Sequence, residues 1–80
     1  MLADNAKRNY ERRILKCLDE ADYPYTASKI ARITGIPNGT TQDLLRSMAK
    51  SKRITAIKNV GKFGGEGEFV GFVAGYTELA

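Results

Sequence analysis

Apolar side chains recur at steps of three and four along the first part of the chain, at Tyr10, Ile14, Cys17, Leu18 and Ala21. That spacing predicts a helix over about 5–21, with Asp4 or Asn5 as its cap. The opposite face holds Lys7, Arg8, Arg12, Arg13 and Lys16, with Glu11 among them, so the helix is basic outside. "DYPY", residues 22–25, ends it: Pro24 lacks an amide donor and pushes Tyr23 toward extended backbone. Tyr23 and Tyr25 are read as lids over the core. Thr26 then caps a second helix over 27–34, with Ala27, Ile30, Ala31 and Ile33 expected on its inner side.

"TGIPNG" follows. Gly35 fits a left-handed C-terminal position, Ile36 can plug the turn, and Pro37 or Asn38 can start another helix. Over 38–50, Thr41, Leu44, Leu45 and Met48 fall on one side at 100° per residue, which makes them core. The far side shows Gly39, Gln42, Asp43, Arg46 and Lys50. Asn38 and Thr40 stand at its N-terminal end, and Lys52 and Arg53 lie just past its C-terminus. From Arg53 the residues favour strands, as "RITAIKNV" and "EFVGFVAGY" on either side of the Gly-rich "GKFGGEG". This predicts a hairpin over about 53–75 with a flexible, projecting tip near Lys58 and Lys62.

Composition narrows the function classes. An 80-residue chain is read as one domain over 1–80, one that buries roughly 60 to 65% of its unfolded surface. Apolar content of 42% and charged content of 28% suit a globular protein. No apolar run approaches the roughly 18 residues of a membrane span, and the N-terminal segment lacks a signal-peptide centre. A cytoplasmic location is therefore expected, with no membrane partner. There is one cysteine and no histidine, which removes an internal disulfide, the common zinc-ligand sets and histidine-based catalysis. Cys17 is read as a buried thiol. "GKFGGEG" lacks the GxxxxGK[ST] pattern of a phosphate-binding loop. No enzyme activity, metal, cofactor or small-molecule ligand is expected. The net charge of +4 favours an anionic partner.

The order of elements, together with Ile30, Ala31, Gly35, Ile36, Thr41, Leu45, Met48 and Ile54 at their spacings, resembles the winged helix-turn-helix superfamily from about Asn9 to Val73. The likeness is to small transcription regulators of prokaryotes, archaea or their viruses. It implies an α+β fold of three helices followed by a two-stranded wing. Two positions depart from the usual pattern: Thr41 stands where an aliphatic residue is common, and Lys52 where glycine usually ends the helix.

The resemblance implies sequence-specific binding of double-stranded DNA, with helix 38–50 in the major groove and the 58–67 wing on the backbone or minor groove. Asn38, Thr40, Gln42 and Arg46 are then the base-reading candidates, since Asn and Gln bond adenine bidentately and Arg bonds guanine. Gly39, Lys50, Lys52, Arg53, Lys58 and Lys62 are the phosphate candidates. Asp43 would repel phosphate unless it accepts from cytosine or pairs with Arg46 or Lys50, three and seven positions on, of which the nearer is favoured. Phe63 could wedge at a base step or fold back on the body. A homodimer through helix one or "VAGYTELA" would present two recognition helices. The superfamily also serves as protein–protein or RNA-binding modules in larger complexes, for example on ribosomes, and that alternative stays open.

Overall fold

A computed structural model describes residues 4–75. The elements in order are α1 (Asp4–Asp19), β1 (Tyr25–Thr26), α2 (Ala27–Thr34), α3 (Asn38–Lys50), β2 (Ile54–Val60) and β3 (Phe69–Ala74). α1 starts at Asp4, so Asp4 and Asn5 lie inside its first turn, where the Asp4 charge favours the helix N-terminus. Its buried stripe is Ile14, Cys17 and Leu18, with Tyr10 packed alongside. α1 ends two residues earlier than the spacing predicts, and a turn closed by Glu20 N–H on Lys16 O at 3.2 Å carries the chain to Ala21.

α2 and α3 take the predicted bounds because both ends of the intervening turn are specified locally. Thr26 Oγ1 accepts from Lys29 N–H at 3.3 Å, capping α2 at its start. Gly35, at φ 75°, closes its end by donating to Ala31 O at 2.9 Å. Ile36 is buried behind that turn. Its place in one core with Ile14, Ile30, Leu44, Leu45, Met48 and Ile54 fixes how α2 and α3 meet. Ile33, expected on the inner side of α2, is instead 54% exposed. It borders an open cleft with Arg13, Lys16, Cys17, Glu20 and Thr34, where none of the described elements covers it.

Thr41 is fully buried, and its hydroxyl donates to Pro37 O at 3.0 Å. Pro37 O also accepts Thr41 N–H at 2.8 Å and stays bonded without the hydroxyl, whereas Ile36 O, which accepts the same hydroxyl at 3.4 Å, loses that bond. Thr41→Val, which refills the volume, is expected to lower the unfolding free energy by about 1 kcal/mol. Thr41→Ala, which opens a void, is expected to lose more than the valine variant in the same urea titration.

After α3, Lys52 adopts φ 63° at the position where glycine is usual. Arg53 N–H donates to Met48 O at 2.9 Å and Lys52 N–H to Ala49 O at 3.1 Å, which ties off the helix end. β2 and β3 then pair antiparallel, Ile54 against Ala74 through Ile57 against Gly71. The register slips between Ile57 and Val60, where Asn59 sits at φ 62° in a bulge.

The expected two-stranded wing is one part of a three-stranded sheet in the order β1-β3-β2. Tyr25 pairs with Phe72 and Thr26 with Gly71, so the "YT" of "DYPYT" is a strand. The loop between β2 and β3 is folded at its base and exposed at its tip, where Lys62, Phe63, Gly65 and Glu66 lie open to solvent. Val60 and Gly61 are buried, and the connecting loop is closed by Gly61 N–H to Gly65 O at 3.0 Å and Gly67 N–H to Asn59 O at 3.2 Å. Of the segment "VAGYTELA", considered above for dimerisation, residues 76–80 lie outside the described residues.

Candidate nucleic-acid interface

α3 is held by one face and shows the other. Thr41, Leu44, Leu45 and Met48 are buried, while Asn38, Gly39, Gln42, Asp43, Arg46 and Lys50 are exposed and Thr40 is half-buried. The helix has Pro37 at its cap position and no side-chain cap bond. Its first amide donors therefore point outward without a side-chain acceptor, the arrangement that suits a phosphate oxygen. Gly39 has nothing within 4 Å of where a Cβ would stand, so that turn is open to close approach.

Gln42 and Arg46, one turn apart, border a cleft of about 300 Å³ with Ala27, Ala49, Ala56 and Phe72. The cleft separates α3 from the sheet, and Ala56 and Phe72 form its far wall as a cross-strand pair. Asp43 meets Arg46 at 3.7 Å, with both side chains nearly four-fifths exposed. A pair that open is worth about 0 to 1 kcal/mol, so Arg46 can exchange it for another acceptor.

The phosphate candidates divide. Lys50 is exposed on α3, Lys52 in the turn behind it, Lys58 at the β2 bulge and Lys62 in the wing loop. Arg53 instead reaches Glu11 of α1 at 3.1 Å, where the Glu11 side chain is 13% exposed. Its charge is already partly neutralised. Phe63, beside Lys62, is 81% exposed and does not fold back on the body. Glu66 and Glu68 are exposed on the same loop, so the wing carries both signs of charge.

Behind the wing lies a cluster that spacing did not reveal. Lys29 Nζ donates to the Tyr23 hydroxyl and stands 4.5 Å from the Tyr25 ring centroid. The hydrogen bond to Tyr23 holds the Lys29 ammonium above the ordinary lysine range. Burial, with Glu20 adding and Lys29 opposing, raises the Cys17 thiol and keeps it neutral. Among the described residues no group of three or more His, Cys, Asp or Glu is placed to hold a metal ion. No helix among them is long and apolar enough to cross a membrane.

Residues 13–52, half of the 80-residue chain, match the IclR helix-turn-helix domain. The chain belongs to that family. The match runs from the second half of α1 through α2 and α3 to the turn at Lys52. It takes in the whole helix-turn-helix and stops short of β2 and β3. This IclR-type domain is thus a winged helix-turn-helix, and at the level of the family a DNA-binding domain of transcription regulators. The family is one of regulator domains and not of enzymes. No curated protein and no solved structure gives a match.

Proposed function

We propose that the chain binds double-stranded DNA sequence-specifically as a transcription regulator, with α3 in the major groove and the 58–67 wing on the backbone or minor groove. The observation that carries this reading is the exposed face of α3 with its uncapped first turn, set in the frame of an IclR helix-turn-helix. Asn38, Thr40, Gln42 and Arg46 are the proposed base contacts. Gly39, Lys50, Lys52, Lys58 and Lys62 are the proposed phosphate contacts. Arg53 joins them as the weakest, because contact with DNA must compete with Glu11. Asp43 serves in this scheme as an exchangeable partner that holds Arg46 extended from the helix. Two copies related by a two-fold axis would set two α3 helices on half-sites about 10 to 10.5 base pairs apart.

Salt dependence tests the reading. Binding of labelled duplex DNA and duplex RNA is followed at several salt concentrations. A protein making about five phosphate contacts is expected to give a log–log slope near −4.5 on DNA. RNA, whose deep and narrow major groove excludes an α-helix, is expected to bind more weakly. Equal binding of RNA would favour an RNA-binding module. No duplex binding at low salt would favour a protein partner and overturn the DNA reading.

A further inference from the structure

The loop joining β2 and β3 meets the body at Gly64. A Cβ placed on Gly64 would lie 3.1 Å from Tyr23 Cγ and 3.3 Å from Tyr23 Cβ, so the loop backbone is seated against the tyrosine side chain. Gly64 takes φ 90°, a conformation that other residues rarely adopt. Tyr23 is itself held from two sides. Its ring meets Tyr25 edge-on at 5.1 Å between centroids and 71° between planes, and its hydroxyl accepts from Lys29. Tyr25 belongs to β1 and packs against the core, and Lys29 lies in the first turn of α2. The contacts thus run from the core through Tyr25 and Tyr23 to Gly64. Next to Gly64 in the chain stand Lys62 and Phe63, both exposed.

The loop has its own internal bonds as well. Gly61 N–H donates to Gly65 O and Gly64 N–H to Gly61 O at 3.3 Å. These bonds hold the shape of the loop, while the seat on Tyr23 sets where it lies relative to α2 and the sheet. A lysine reaching a phosphate gains affinity when its position is fixed beforehand, because less ordering is required on binding.

We infer that Tyr23 is a positioning residue for DNA binding: its ring seats the wing at Gly64 and so fixes where Lys62 meets the phosphate backbone. The inference rests on the proposed DNA reading. Tyr23 touches no DNA in this scheme and acts through Gly64. Its ring carries the effect, and the hydroxyl serves only to engage Lys29.

The test is a cycle of full-chain variants read by the salt slope of duplex binding. In the wild type, Lys62→Ala is expected to reduce the magnitude of the slope by about 1, the loss of one phosphate contact. In the Tyr23→Ala background the same lysine substitution is expected to change nothing, since the contact is already lost. Tyr23→Phe keeps the ring and is expected to restore the wild-type response to Lys62→Ala. Gly64→Ala disturbs the seat from the wing side and is expected to behave like Tyr23→Ala. If Tyr23→Ala fails to fold, Tyr23→Gln, which removes the ring and keeps an acceptor for Lys29, takes its place in the cycle, since Gly64→Ala also strains the loop through its φ of 90°. A Lys62 effect of equal size in all backgrounds overturns the inference and leaves the DNA reading standing, as does the absence of any Lys62 effect in the wild type. Failure of the wild type to bind duplex DNA overturns both.

Discussion

Replacing Leu45 by alanine is expected to lower the unfolding free energy by about 2 to 5 kcal/mol. Leu45 is 0% exposed and shares one core with Met48 of its own helix and with Ile14, Ile30, Ile36 and Ile54, which come from both other helices, the turn and β2. The void would open where these elements converge, and a close-packed interior collapses into it only in part. A chain of 80 residues has roughly 4 to 12 kcal/mol of stability in all, so the loss is a large fraction. Urea unfolding measures it as a fall in midpoint at unchanged slope. Ile33→Ala is the contrasting substitution. With that side chain more than half exposed, its cost is expected to be within about 0.5 kcal/mol. A larger loss at Ile33 than at Leu45 would mean that α3 is not anchored as described.

Substitution of Arg46 is the second large effect and bears on function. Arg46→Ala is expected to cost about 1 to 3 kcal/mol of binding and to relax discrimination at one position of the site. Arg46 borders the cleft beside Gln42, and its only ion pair among the described residues is the open one to Asp43. It is therefore available to a base edge at little cost to the free protein. Lys62→Ala is expected to weaken all duplexes alike, because a lysine on a phosphate carries no sequence information. Equal, sequence-blind losses at both residues would show that α3 reads no bases.

Much of this fold is legible in the sequence, for reasons that differ along the chain. α2 and α3 have the expected ends because Thr26, Gly35 and Ile36 act on their immediate neighbours: a cap bond, a left-handed residue and a buried plug. Such effects need no tertiary context. Ile33 illustrates the opposite case. Its three-residue step from Ile30 puts it near the inner stripe of α2, yet burial depends on what stands opposite, and among the described residues Ile33 borders an open cleft. β1 was equally hidden, since a strand of two residues has no alternation to detect and exists only because β3 lies next to it.

The candidate interface divides along the same line. Gln42, Arg46 and Lys50 could be placed outward from the helical period alone, and the pairing of Asp43 with Arg46 follows from their three-residue spacing. The engagement of Arg53 with Glu11 could not, because those residues are 42 positions apart in the chain (53 − 11) and meet only after folding. The seat of the wing on Tyr23 is a contact between a glycine backbone and a ring. Gly64 has no side chain to signal such a contact in a pattern of hydrophobic and polar positions.

Whether α3 reads base edges is decided by selecting bound sequences from a random duplex pool. The wild-type chain is expected to enrich a defined motif, and the Arg46→Ala chain to enrich the same motif with the preference lost at one base pair. Recovery of an unselected pool by the wild type, or of an identical motif by both chains, would contradict base reading by α3.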